Sequence, residues 1–274
     1  MKELWFQLVQ TFALSAVRYF LLAGIPFLLF YKFFSTTFAK QKIQKRLAAK
    51  ADFVREILYS MLSSVVFALI GVAILFTPVV NYTQIYQDIN AYPLWWIPLS
   101  VGLSLVLHDT YFYWMHRLLH HKALFKYAHL VHHKSTNPSP WASYSFHFLE
   151  AVVEGGILAV VAFVLPMHPL AVILFILSSF VINVYGHLGY ELMPKGFRHS
   201  VWFEVLNTSV HHNLHHSKFK GNYGLYFRVW DRLLGTEHPD YVKEYDKVQT
   251  ARFGTSTEEA RADAPAQFQT RPQQ

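Results

Sequence analysis

From Gly155 to Leu188 the chain carries no Asp, Glu, Lys or Arg. An uncharged stretch of this length has few folded outcomes, because about 20 apolar residues already cross a bilayer core as a helix. The pattern recurs. Ile57 to Val80 is also free of charge, Phe12 to Phe30 holds only Arg18, and Leu94 to Leu107 is apolar and leads into an aromatic stretch. Within hydrocarbon every backbone polar group needs an internal partner, so these segments are predicted to be helices. Pro166-Met167-His168-Pro169 interrupts the last of them and predicts a helical hairpin with its tip at the far interface. The expected fold is all-α, an integral membrane protein with about four to five transmembrane or re-entrant helices. A very apolar soluble core is the competing reading, and segments this long with so few charges weigh against it. The first segment continues to Phe30 and Phe34 with no small-residue cleavage site after it, which favours a retained helix over a cleaved signal peptide.

Basic residues predict the orientation. Lys40, Lys42, Lys45, Arg46 and Lys50 crowd the loop after the first segment, whereas Asn81 to Pro93 has no Lys or Arg. The first loop is therefore expected on the cytoplasmic side. Threading the remaining spans returns Arg117 to Lys134 and the C-terminal part to that same side. The net charge of +7 suits loops lying against anionic headgroups and calls for no nucleic acid, for which the chain carries no motif. It has no cysteine, which excludes disulfides, iron–sulfur clusters and thiolate zinc sites.

Of the sixteen histidines, all but His238 lie between His108 and His216, and they cluster. The groups are His116–His120, His129–His132–His133 and His212–His215–His216, with His121 and His211 adjoining. Residues three and four apart share a helix face, so each group is expected to aim its imidazoles at a common point. Buried imidazoles are costly unless something satisfies their ring nitrogens, and a metal ion does so. With thiolate absent and carboxylates few (Asp109, Glu150, Glu154 and Glu191), such a set suits iron, zinc or copper better than magnesium or calcium. Eight nitrogens are too many for one ion and a reasonable number for two. His168, His199 and His238 are read as structural.

Beyond these counts, the stretch His108-Asp109-Thr110-Tyr111-Phe112-Tyr113-Trp114-Met115-His116-Arg117-Leu118-Leu119-His120-His121 resembles the first histidine box of the membrane fatty acid hydroxylase / sterol desaturase superfamily. The resemblance continues in order through HLVHHKS (129–135), SFHFLE (145–150), NVYGHLGYE (183–191), HHNLHHSKFKGNYG (211–224) and WDRLLGT (230–236). It covers roughly residues 100 to 238. A single HxxHH would be a weak sign; the ordered series is specific. The resemblance implies a di-iron, oxygen-dependent enzyme acting on lipids, with two non-haem irons at the cytoplasmic ends of the helices. Zinc could occupy such a site in purified protein. The metal ligands it implies are His116, His120, His129, His132, His133, His212, His215 and His216, with His187 as a ninth. Some relatives carry histidine at the position of Asn183; here either that site has one ligand fewer or Asn183 acts through its amide oxygen.

Asp109 precedes His116 by seven residues, about 20° from the same helix face, and is expected to orient a liganding imidazole. His108, His121, His147 and His211 are left between ligand and structure, and Glu150 is a candidate acceptor for a histidine such as His147. The implied chemistry is O2-dependent oxidation of an unactivated C–H bond, ending as an alcohol or an alkene. No glycine-rich dinucleotide motif and no HPGG segment is present, so electrons are expected from a separate ferredoxin or cytochrome b5-type donor. Lys122, Lys126, Lys134, Lys218 and Lys220 are candidates for attracting it. The substrate is expected to be a lipid entering from the bilayer, of fatty acyl, sterol, ether-lipid or isoprenoid type. The host membrane is either a bacterial cytoplasmic membrane or the endoplasmic reticulum. A histidine-lined metal transporter and a non-catalytic metal-binding relative are the readings from other classes. The predicted organisation is N-terminal transmembrane helices in 1–92, a catalytic unit in 93–240 with a cytoplasmic histidine-rich cap, and a polar, unstructured tail in 241–274.

Overall fold

A computed structural model describes residues 2–46 and 48–254. The apolar segments set its frame. Helix α1 (Lys2–Phe27) runs on as a π-helical extension through Leu28–Phe33, and α2 (Lys50–Leu75) returns beside it. Helix α3 is Trp96–Leu119, followed by two single turns, α4 (Phe125–Ala128) and α5 (Leu130–His133). The long uncharged segment forms α6 (Phe148–Gly155), α7 (Ile157–Val164) and α8 (Pro169–Gly186). The break between α7 and α8 falls at the Pro-Met-His-Pro sequence, as expected: Pro169 opens α8 and the His168 Nδ1 accepts the Leu170 N–H. Short α9 (Val201–Val205), α10 (Ser209–Lys218), α11 (Val229–Leu233) and α12 (Tyr241–Phe253) follow. Among the described residues there is no sheet, only isolated bridges such as Lys42 with Tyr190.

Three helical spans, Lys2–Phe33, Lys50–Leu75 and Pro169–Gly186, are long and apolar enough to cross a membrane. Their outer faces carry exposed Leu14, Leu58 and Ile173, side chains that a bilayer covers and water does not. The two ends of the bundle differ. At one end short connections pack together: Tyr86 donates its N–H to Met167 and the Trp96 indole donates to the Pro166 carbonyl. At the other end Tyr31 bonds the Leu188 carbonyl, Arg55 reaches Ser135, and Gln44 bonds both Thr136 and Asn213. Close approach there requires glycine. Gly189 has φ +74°, and a Cβ on it would sit 2.6 Å from the Tyr31 hydroxyl.

One boundary differs from the expectation. Residues 241–253 are not a tail but a helix whose Tyr241, Tyr245 and Val248 pack on Phe203, Val210 and Leu214. Their i, i+4, i+7 spacing makes one apolar stripe, which the polar composition of the neighbouring sequence conceals. Residues 255–274 of the expected tail lie outside the described residues.

Candidate metal centre

Helix α10 shows how the chain aims its imidazoles. The Thr208 hydroxyl caps it by accepting the His211 N–H, and Phe219 ends it in a left-handed turn. Val210 and Leu214 face the apolar cluster beneath, which leaves His212, His215 and His216 on the opposite side. At 100° per residue, His212 and His216 lie 40° apart while His215 points 100° away from His216. The triplet therefore cannot converge on one point, and it does not.

The structure divides the clustered histidines into two groups that cut across the sequence boxes. His116, His120, His129, His133 and His215 form one; His132, His187, His212 and His216 form the other. Within each group one nitrogen per ring lies within 4.8 Å of all the others. All nine residues picked out in the sequence are in one group or the other. The expectation of one target per box is corrected: α5 and α10 each supply both groups, because adjacent helical residues diverge.

The hydrogen bonds at the outer ring edges decide what the inner edges are. His116 Nδ1 lies 2.9 Å from the Tyr223 carbonyl, His187 Nδ1 2.9 Å from the Asn183 carbonyl, and His215 Nδ1 2.6 Å from the Gly221 carbonyl. A carbonyl only accepts, so Nδ1 carries the proton and, in a neutral ring, Nε2 is a bare lone pair. Burial keeps the rings neutral. It holds His129, His132, His133, His212 and His216 well below the ordinary histidine range, and lowers His215 to about 4 against the bond from Gly221.

Yet these bare nitrogens point at one another. His116 Nε2 is 3.0 Å from His129 Nε2, and His215 Nε2 is 3.2 Å from His120 Nε2. His187 Nε2 faces Nε2 of His212 at 3.0 Å and of His216 at 3.2 Å, and those two are 3.2 Å apart. Three nitrogens in a triangle cannot all be satisfied by protons, since each offers either one proton or one lone pair and at least one of the three contacts is left between two like sites. The Nδ1 atoms of His132, His133, His212 and His216 are buried without a partner. Converging lone pairs of this kind fit a cation at each group.

The residues around the groups are held from a distance. Glu150 Oε1 lies 2.7 Å from His129 Nδ1, with both side chains buried, so the histidine that Glu150 meets is His129 and not His147. Contrary to expectation, no hydrogen bond joins Asp109 to an imidazole among the described residues. Its Oδ1 instead accepts the backbone N–H groups of Leu225, Tyr226 and Phe227. Asp231 accepts those of Tyr223 and Gly224. Between them the two acids fix residues 223–227, directly after Gly221, and the Gly221 and Tyr223 carbonyls orient His215 and His116. Only the sequence resemblance at GNYG and WDRLLGT marked that segment, and it assigned it no role.

The remaining histidines stand outside both groups. His108 bonds the Tyr226 hydroxyl, exposed His121 and half-buried His147 accept the Ala123 and Leu149 N–H groups, and His238 accepts that of Asp240. His211 is fully buried against Tyr241 with neither ring nitrogen partnered. Asn183 orients His187 through its carbonyl, donates Nδ2 to Ser143, and leaves Oδ1 buried and unpartnered.

The sequence profile of the fatty acid hydroxylase family matches residues 101–236. Lathosterol oxidase of Rattus norvegicus is 34% identical over 189 residues, covering 68% of this chain and 61% of that one. The Mus musculus lathosterol oxidase is 33% identical over 212 residues, 73% of this chain and 69% of that one. The chain belongs to the fatty acid hydroxylase / sterol desaturase superfamily. Its members differ in the name of the reaction: a cholesterol 25-hydroxylase-like protein of Danio rerio is 37% identical over 142 residues, 51% of this chain and 55% of that one. The chain thus spans less than two thirds of the rat and Danio relatives. No solved structure matches it. Every one of the nine rings in the two histidine groups lies within residues 101–236, the stretch that matches the family.

Proposed function

We propose that this protein is a membrane-bound, O2-dependent oxidase that uses two irons to hydroxylate or desaturate a C–H position of a sterol-type lipid. The observation that carries it is the pair of convergent, uncharged imidazole groups at one end of an apolar helical bundle. Five and four nitrogen donors with no thiolate suit iron or zinc, and the family membership together with the names of the relatives favours redox chemistry on a sterol. When bound, the irons would supply activation of O2 for cleavage of an unactivated C–H bond.

The chain's own part is positional. His116, His120, His129, His133 and His215 hold one ion; His132, His187, His212 and His216 hold the other. Glu150 would keep the proton on His129 Nδ1 and the Tyr223, Asn183 and Gly221 carbonyls do so for their rings, presenting each Nε2 lone pair inward. Phe112 and Phe146 lie edge-on or tilted against His116 and His132 and exclude water from the reacting carbon. Either outcome, alcohol or alkene, consumes two electrons and two protons from outside for each O2. Lys122, Lys126, Lys134, Lys218 and Lys220 are exposed, and Lys126, Lys218 and Lys220 adjoin in sequence Phe125 and Phe219, which pack on His133. This rim would draw an acidic ferredoxin or cytochrome b5-type donor to the cytoplasmic face. A translocation path would need ligands along the spans, whereas both groups sit at one end.

Elemental analysis of detergent-purified protein beside His132→Ala and His215→Ala tests the reading. About two irons per chain, reduced in each variant, and oxidation of a supplied sterol in the presence of reductant are expected. Two zincs that remain after growth in iron would turn the reading towards hydrolysis, and absence of any metal would refute it.

A further inference from the structure

A cavity of about 320 Å³ lies between α1, α2, α3 and α6–α8. One end abuts the histidine groups through Phe112 and Phe146, and the walls are mostly aliphatic and aromatic. Part-way along, a polar band interrupts them. The Tyr226 hydroxyl lies 2.8 Å from His108 Nδ1 and 2.6 Å from Ser179 Oγ. His108 is 7% exposed and lines the cavity. With Nδ1 engaged, its Nε2 has no hydrogen-bond partner among the described residues. Glu154 lines the same cavity, also without a hydrogen bond among the described residues. From the opposite wall comes Arg18, midway along the Lys2–Phe33 span. Its guanidinium donates to Ser15 Oγ at 3.1 Å, interacts with the Tyr144 hydroxyl and lies 5.9 Å from the Phe180 ring, while its Nε is buried and unpartnered.

An ionisable side chain at mid-span marks a ligand site by default, and a few unmet polar groups in an apolar pocket orient what fills it. Two helices set the depth of the band independently. His108 precedes His116 by eight residues on α3, and Ser179 precedes His187 by eight on α8. At 1.5 Å per residue each interval is about 12 Å.

We propose that this band holds the hydroxyl group of a sterol alcohol and thereby fixes which carbon faces the histidine groups. The choice of a sterol rests on the oxidase reading above; the anchor itself rests on the cavity. A hydroxyl both donates and accepts, which suits His108 and Ser179, both on the cavity wall and both held by the Tyr226 hydroxyl behind them, between an acid and a base. An anionic headgroup attracted by Arg18 would meet Glu154 as well.

The test is equilibrium binding of radiolabelled cholesterol, and of 5-cholestene, which lacks the 3-hydroxyl, to the full-length metal-loaded protein in detergent. Wild type is expected to prefer the alcohol by about tenfold or more, since a site built to bond a hydroxyl rejects the analogue without it. In Tyr226→Phe and His108→Phe the preference should fall towards unity with 5-cholestene binding unchanged. Ser179→Ala, a smaller change, should reduce it in the same direction and guards against a folding defect. A preference retained in all three variants, or no binding of cholesterol by wild type, overturns the anchor. Binding needs no turnover, so an inactive protein that still prefers the alcohol would count against the oxidase reading alone.

Discussion

Four of the nine clustered rings have their Nδ1 edge assigned to a named neighbour, and only one of those neighbours, Glu150 beside His129, is an acid. A carboxylate behind a liganding imidazole raises its basicity, and its loss commonly costs 10–100-fold, on the order of magnitude, in metal affinity. Glu150→Gln should therefore weaken the five-histidine group by about that factor and leave the four-histidine group filled. Dialysis against a mild chelator followed by elemental analysis would then read one ion per chain where wild type retains two; equal retention would reduce Glu150 to a packing role. The same assay checks Gly221→Ala. Gly221 has φ +76°, and an added Cβ would lie 2.6 Å from the Thr236 carbonyl. The side chain forces the turn to move, His215 loses the carbonyl that fixes its tautomer, and the five-histidine group should again be the one that empties.

At the scale of elements, α10 is supported from beneath by α12. Tyr245 is fully buried between Phe203 and the α10 face. Truncating a buried aromatic leaves a cavity, and Tyr245→Ala should cost about 3–5 kcal/mol, visible as a lower melting temperature in detergent. A change of less than about 1 kcal/mol would mean that α10 stands without this support. How far such features could be read from the chain depends on where their causes lie. The spans and the proline break at 166–169 were legible because length, charge and Pro act locally. That the nine rings come together was legible through their spacing and their resemblance to a family. Their sorting into two groups was not, since it depends on which rings from α3, α5 and α10 meet across the bundle. The roles of Asp109 and Asp231 escaped for a related reason: both serve backbone N–H groups, those of Asp109 more than 100 residues along the chain, and amides leave no mark in a sequence. Helix α12 carried its stripe at Tyr241, Tyr245 and Val248, but a polar neighbourhood masked it.

At the scale of the whole molecule, so many buried neutral imidazoles couple folding to pH. Histidines in an unfolded chain titrate near 6.5, whereas His215 is lowered to about 4 and His129, His132, His133, His212 and His216 fall well below the ordinary value. Below about pH 6.5 the unfolded state binds more protons than the folded one, so stability of the metal-free protein is present above that pH and lost on acidification. Melting curves of chelator-stripped protein should drop steeply between pH 7.5 and about 5, and metal should move the drop to lower pH because it competes with protons for the same nitrogens. A flat profile would contradict the buried, neutral state of these rings. The order in which the donors are made has a further consequence for biogenesis. Each group draws its rings from separate stretches of chain, beginning at His116 or His132 and ending at His215 or His216. A ribosome must release the last of these, and the membrane insertion machinery must have seated the bundle, before either pocket has its full set of donors. On the proposed metal-binding reading, delivery of the ions would therefore be the closing step of assembly, after the whole bundle is in place.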